Sequence, residues 1–174
     1  MPEFTFNAAG ELEVTPSAAS SQHDFDFYVG KWKIHNRKLN SRLTNSDEWS
    51  EFEADQEMEL ILNGLGNTDN FVTSFDGEPF EGRTLRLFNP ATRLWSMYWV
   101  DSNSAVLQSP TVGSFDGDIG RFYDLDTFEG REILVKFEWN KSDPTNPVWS
   151  QAFSVDQGQT WEWNWHMYSR RSEA

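Results

Sequence analysis

Residues 31–62, KWKIHNRKLNSRLTNSDEWSEFEADQEMELIL, contain two segments in which charged side chains occupy every second position. The alternating charges are basic, with one histidine, in the first segment and acidic in the second. A period of two is typical of a β-strand with one solvated face. Antiparallel pairing of the segments would place a basic row beside an acidic row on the outer surface. The stretch therefore predicts a hairpin whose other side chains face an interior.

The positions between the charges define this interior face. Its apolar members are large, and they are Trp32, Phe52, Met58 and Leu60. Its polar members are fewer, and they are Asn36, Lys38 and Gln56. Polar groups are costly to bury unless they are hydrogen-bonded. We expect these three to orient a molecule bound in a pocket, with hydration at an open mouth as the alternative.

Eight further short segments continue the alternation, with little helical periodicity. The breaks between them carry turn sequences, among them Asp-Gly at 76–77 and 116–117, a strong hairpin signal. About ten strands without crossover helices predict an all-β antiparallel meander that closes into a barrel or splits into a sandwich. The further segments cover residues 68–75, 82–89, 94–101, 109–115, 120–126, 132–140, 148–156 and 160–171.

Composition excludes several classes of function. The chain has 174 residues, and its net charge of −14 would repel nucleic acids and anionic membranes. It has no cysteine, which excludes disulfides, thiolate metal sites and cysteine nucleophiles. The start resembles no secretory signal, and no apolar run approaches the roughly 20 residues that span a bilayer. We expect a cytoplasmic protein without a nucleic-acid or membrane partner.

Aromatic residues make up 16% of the chain, and the last segment concentrates them. Rings of this size each bury roughly 150–250 Å². Trp161, Trp163, Trp165 and Met167 alternate along this segment, so we expect them to face the interior. Phe137 and Trp139 belong to a similar alternating segment. An exposed stacking platform and a homodimer interface are the alternatives for these tryptophans.

Residues 1–22 are polar and predict a lead-in, so a single domain would span 23–174. The domain begins with HDFDFYVGKW (23–32), a short apolar turn that runs into Gly30-x-Trp32. This opening resembles that of lipocalin-like (calycin) barrels. The resemblance implies that Trp32 closes the barrel floor and that an arginine of the last strand packs on its ring. Arg171 has the same parity as Trp165 and Met167, which we expect to face inward, so it is the expected partner of Trp32.

Three segments together resemble an uncharacterised bacterial family, the DUF1579 type. They are DF..GKW (26–32), NPATRLWSMYWVD (89–101) and QGQTWEWNWHMYSRR (157–171). The resemblance covers roughly residues 23–171. It implies an up-and-down lipocalin-like barrel of about ten strands with a short helical turn before the first, and it implies no settled activity.

Motifs for catalysis or metal binding are missing from the sequence. The Asp-rich turns at 116–118 and 124–126 lack the pattern of a calcium loop. His166 resembles the last-strand haem ligand of nitrobindin-type barrels, but its parity is opposite to that of Trp165, so we expect it to face outward. We therefore predict no metal site, no cofactor and no catalytic residue.

These observations favour a protein that binds a small apolar or aromatic molecule without catalysis. A cavity enzyme of the isomerase or cyclase type, using Lys38 or His166, is one alternative. Haem binding through His166 is another. The predicted pocket lining consists of Asn36, Lys38, Gln56, Met58, Phe137, Trp139, Trp163 and Trp165. The predicted barrel floor consists of Gly30, Trp32 and Arg171.

Overall fold

The structure is a computed structural model that describes residues 3–172, so the outermost residues of both predicted regions lie outside it. Two 3₁₀ turns, Asp26–Tyr28 and Leu62–Gly64, are the helical elements of this range. No helix among these residues is long and apolar enough to cross a membrane. The strands are β1 (Phe4–Phe6), β2 (Leu12–Val14), β3 (Gly30–Leu39), β4 (Trp49–Ile61), β5 (Gly66–Phe75), β6 (Glu78–Asn89), β7 (Leu94–Asp101), β8 (Thr111–Asp116), β9 (Ile119–Phe128), β10 (Arg131–Asn140), β11 (Val148–Ser154) and β12 (Glu162–Arg171).

Strands β3 to β12 form a closed antiparallel barrel in which each strand pairs with its neighbours in the chain. The barrel closes where β12 pairs with β3, from Trp165 opposite Lys38 to Arg171 opposite Trp32. Closure leaves no unpaired edge in this sheet. The predicted all-β, up-and-down barrel of ten strands, with a short helical turn before the first, is confirmed.

The β3–β4 pair has the predicted charge ladder on its outer face. Lys33 lies opposite Asp55 and contacts its carboxylate, and His35 lies opposite Glu53. Hydrogen bonds to Glu53 and then Glu51, at 2.7 and 3.0 Å, raise the pKa of His35. Leu60 departs from the predicted inner row and is 44% exposed, since it lies one residue before the end of β4.

An aromatic plug, built from the first 3₁₀ turn, closes one end of the barrel. Phe25 is fully buried, and its ring lies 5.0 Å from Trp95 and 5.9 Å from Trp139. Tyr28 stacks on Trp32 with the ring centroids 4.7 Å apart, and its carbonyl accepts a 2.8 Å hydrogen bond from the indole of Trp32. We call this end the floor and the opposite end the mouth.

Arg171 covers the plug from outside. Its guanidinium carbon lies 4.0 Å from the centroid of the Trp32 ring. Its two terminal nitrogens donate to the carbonyls of Val29 and Phe27, the latter at 2.9 Å. Gly30 has φ = +117°, and a Cβ there would lie 2.6 Å from Nη1 of Arg171. The close approach of the guanidinium therefore requires a glycine at this position.

The N-terminal strands β1 and β2 pair as a small separate sheet that contacts the outside of β9. The carboxylate of Glu3 accepts hydrogen bonds from Arg121 at 2.9 Å and from the hydroxyl of Tyr123 at 2.5 Å. The ring of Phe4 lies 4.6 Å from that of Tyr123. The predicted lead-in thus contains a hairpin tied to the barrel wall.

The floor contact predicts a specific requirement for arginine at position 171. Arg171→Lys should lower the free energy of unfolding by about 1–2 kcal/mol, because lysine cannot both stack on Trp32 and donate to two carbonyls. Urea titration measures the change. Arg170→Lys, an exposed neighbour on the same strand, should cost less than about 0.5 kcal/mol. Equal losses in the two variants would contradict the contact's role.

Candidate functional site

Above the plug, the barrel interior holds a cavity of about 350 Å³. This volume falls at the lower end of the range for small-molecule sites. The absence of a side chain at Gly82 makes room for the ring of Trp99, which forms part of the cavity wall, because a Cβ at position 82 would lie 2.0 Å from that ring. The aromatic rings therefore line an open space instead of filling it. They belong to Tyr28, Phe71, Phe75, Phe80, Tyr98, Trp99, Phe137, Trp139, Trp149 and Trp165.

The floor side of the cavity has a neutral hydrogen-bonding group. The hydroxyl of Tyr28 donates to Oε1 of Gln56 at 3.0 Å and lies 2.9 Å from the hydroxyl of Ser169. Burial raises the pKa of Tyr28 well above its ordinary value, so the phenol stays protonated at neutral pH. Tyr28 and Gln56 both line the cavity, and they offer it a fixed polar patch.

A buried ion pair lies in the same region. Arg86 lines the cavity, and its Nη1 donates to Asp69 at 2.7 Å and to the amide oxygen of Asn67 at 2.9 Å. The side chains of Arg86 and Asp69 are 4% and 0% exposed. Nε of Arg86, Oδ1 of Asp69 and Nδ2 of Asn67 have no hydrogen-bond partner among residues 3–172. This part of the interior therefore keeps unused hydrogen-bonding capacity.

Two cations lie on the lining towards the mouth. Nζ of Lys38 lies 4.3 Å from the centroid of the Trp165 ring. Arg42 comes from the β3–β4 loop, and its guanidinium carbon lies 4.7 Å from the ring of Phe128. The amide of Leu43 in this loop donates to the Glu162 carboxylate at 2.9 Å, which ties the loop to β12.

Burial lowers the pKa of both mouth cations below their ordinary values. The charge of Arg42 adds to this effect at Lys38, while Asp101 opposes it. At Arg42, the charges of Glu129 and Glu162 oppose the effect of burial. Lys38 and Arg42 are thus partly desolvated cations that repel each other.

Five of the predicted lining residues lie on the cavity wall. They are Lys38, Gln56, Phe137, Trp139 and Trp165. Two others are buried outside the lining. Asn36 accepts a 3.0 Å hydrogen bond from the indole of Trp165, and Met58 packs in the apolar core. Asn36 therefore positions a wall residue, since its amide oxygen fixes the indole edge.

Trp163 differs from its predicted position and lies on the outer face. The β11–β12 register shifts between Gln151 and Ala152, which pair with Trp165 and Trp163, so Asn164 is an extra residue on β12. A bulge of this kind reverses the parity of the residues beyond it. Asn164 turns inward and accepts a 2.8 Å hydrogen bond from Gln151.

The bulge moves Trp161 and Trp163 together. Their ring centroids lie 4.1 and 5.0 Å from Nζ of Lys136, a residue of the outer face of β10. The expectation that both tryptophans face the interior is therefore wrong. Of the three alternating tryptophans, Trp165 alone lines the cavity.

His166 faces outward, on the side opposite to Trp165. Its Nδ1 lies 2.7 Å from the hydroxyl of Ser150, and its ring lies 5.7 Å from Trp49 and 6.2 Å from Trp163. Burial, and then the charge of Arg37, lower its pKa. A haem inside the barrel would not meet this side chain.

Two residues important to the cavity were missed by the sequence reasoning. Arg86 has the same parity as Phe80 and Phe88, which point inward. The other residues of this parity are apolar or small, so the alternation along β6 could have predicted that Arg86 is an inward-facing charge. Arg42 lies in an irregular loop, where no periodicity indicates the direction of a side chain.

Two solved structures share this architecture. The S-type phycobiliprotein lyase CPES from Guillardia theta matches with a TM-score of 0.62 and 12% identity, over 90% of this chain and 95% of the lyase chain. Rv2717c from M. tuberculosis matches with a TM-score of 0.57 and 11% identity, over 91% and 99% of the two chains. No protein-family model and no curated protein matches the sequence. The likeness shows a lipocalin-like barrel fold, while DUF1579-type membership stays a prediction.

Removing one member of the buried Arg86–Asp69 ion pair should greatly reduce the stability of the fold, and removing both members should restore most of it. Arg86→Met should lower the free energy of unfolding by about 3–5 kcal/mol, because it leaves the Asp69 carboxylate buried without its partner. The double variant Arg86→Met/Asp69→Leu should recover most of this loss, since no charge remains. Denaturant titration of both variants decides: a double variant as unstable as the single one would contradict this account.

The environment of His166 predicts a pH dependence of opposite sign to that of His35. NMR titration should place the pKa of His166 below the ordinary value of about 6.5 and that of His35 above it. Since the folded pKa of His166 is depressed, its contribution to stability is complete above the unfolded pKa. The contribution is lost as the pH falls from the unfolded pKa through the lower folded pKa. Between pH 7 and 5 the wild type should therefore lose more stability than His166→Asn; an equal loss would contradict the depressed pKa.

Proposed function

We propose that this protein binds a small, largely apolar or aromatic molecule in the cavity of its barrel. The observation that carries the proposal is the open space of about 350 Å³ between aromatic walls. An apolar cavity with a few fixed polar groups is the usual form of a small-molecule site. Aromatic walls also favour stacking and edge contacts with a planar ligand.

The polar groups of the wall support a site with a defined orientation. Tyr28 and Gln56 are hydrogen-bonded to each other on the floor side, and Lys38 and Arg42 lie towards the mouth. A ligand that spans the cavity would meet neutral partners at one end and cations at the other. Gln56 and Lys38 lie on strands of the closed sheet, Tyr28 belongs to the buried plug, and Arg42 lies in a loop that Glu162 ties to β12. Groups that are held in place before the ligand arrives reduce the entropic cost of binding.

Binding, without chemistry, is the function that these contacts support best. Lys38 faces the cavity, as an acid–base role would require, and the fold is shared with a protein named as a lyase. Lys38, however, forms no hydrogen bond with any side chain of residues 3–172 that could exchange its proton. Reactive groups of enzymes are typically activated or oriented by a neighbouring side chain, so the isolated position of Lys38 favours binding over catalysis.

Filling the cavity should abolish binding of a neutral aromatic probe. Phenylnaphthylamine fluoresces more strongly in apolar surroundings, so we expect a saturable rise in its emission with the wild-type protein. Thr84→Phe places a ring inside the cavity and should weaken binding about 10-fold or more, a loss of about 1.4 kcal/mol.

Leu85→Phe adds the same ring on the opposite face of β6 and is the matched control. It should leave the affinity within about 2-fold of the wild type. A wild-type protein that shows no saturable binding, or equal weakening by the two substitutions, would contradict the proposal.

A further inference from the structure

We propose that the ligand carries a carboxylate, held at the mouth between Lys38 and Arg42. This inference rests on the proposed function and assigns the chemical class of the molecule that the cavity takes. The ligand would be a small organic acid with an apolar or aromatic body. The body would lie among the aromatic rings and the acid group would lie towards solvent.

The first observation is that neither mouth cation has an anionic partner. Within residues 3–172, no carboxylate lies within 4.0 Å of the charged nitrogens of Lys38 or Arg42, and neither side chain donates a hydrogen bond to protein. The chain has 28 acidic and 14 basic residues, so carboxylate partners are abundant. Other cations use them, as Arg121 does with Glu3 and Glu138.

The second observation is that both unpaired cations line one cavity. Lys38 lies on the Trp165 ring of the cavity wall, and Arg42 lies on the ring of Phe128, which is outside the lining. A cation–π contact is worth about 0.5–1 kcal/mol at an exposed site and leaves the N–H donors unused. Lysine has three such donors and arginine has five. Partial burial of two mutually repelling cations costs free energy, which a shared anion would offset.

The third observation concerns the other charges near the cavity. The charge of Arg86 is balanced by Asp69 at 2.7 Å, so the floor side favours a neutral group. Asp101 lines the mouth, but its carboxylate accepts hydrogen bonds from the indole of Trp99 at 2.9 Å and from the amide of Asn103 at 3.0 Å. The charges of Glu129 and Glu162 also reach Arg42, but neither carboxylate forms an ion pair with it within residues 3–172. Lys38 and Arg42 therefore keep their N–H donors for a ligand, and an arginine fork suits a carboxylate.

A matched pair of ligands tests the carboxylate. Naphthaleneacetate and naphthaleneethanol share one ring system and differ in the acid group. Both should displace phenylnaphthylamine from the wild type, with the acid binding about 10-fold more tightly. Lys38→Met and Arg42→Gln each remove one charge and should each weaken the acid about 10-fold while changing the alcohol less than about 2-fold.

Lys31→Met removes a charge from the outer face of β3 and should change neither affinity. Phenylnaphthylamine binding shows that each variant keeps its folded cavity. If the acid binds no better than the alcohol, or if both substitutions leave the acid unaffected, the carboxylate proposal is overturned and cavity binding stands. If neither ligand nor the dye binds to the wild type, the proposed function fails as well.

Discussion

The pairing of the last strand with the first barrel strand is the constraint on which the rest of the structure depends. Seven residue pairs, from Trp165 with Lys38 to Arg171 with Trp32, close the sheet. Closure satisfies the backbone of both strands and fixes which side chains point inward. It also brings Arg171 over the Trp32 ring, so the two ends of the domain seal the floor together.

The plug closes the floor of the barrel, and the large aromatic side chains above it leave part of the interior empty. Phe25 and Tyr28 occupy the lower interior, and the rings above them stand along the wall. Large rigid side chains pack against the sheet but cannot collapse into the space that they enclose. The polar groups in this space follow from the same geometry, because inward positions on ten strands include Gln56 and Arg86, which must find partners inside.

Regular alternation made much of this fold predictable, and local irregularity limited the prediction of the site. The charges of β3 and β4 indicated the inner row correctly from Trp32 to Met58. Trp163 also alternates perfectly in the sequence, yet the bulge at Asn164 turns it outward. The bulge depends on how β12 pairs with β11, so the sequence of β12 alone does not predict it. The position of Arg42 depends likewise on how its loop packs on Phe128.

The most direct test of the account is a crystal structure of the protein grown with phenylnaphthylamine. The account predicts electron density for the dye inside the barrel, in contact with Phe71, Trp99 and Trp139, with the wall side chains close to their positions in the free protein. A barrel whose interior is filled by its own side chains, with the dye bound elsewhere on the surface, would contradict it.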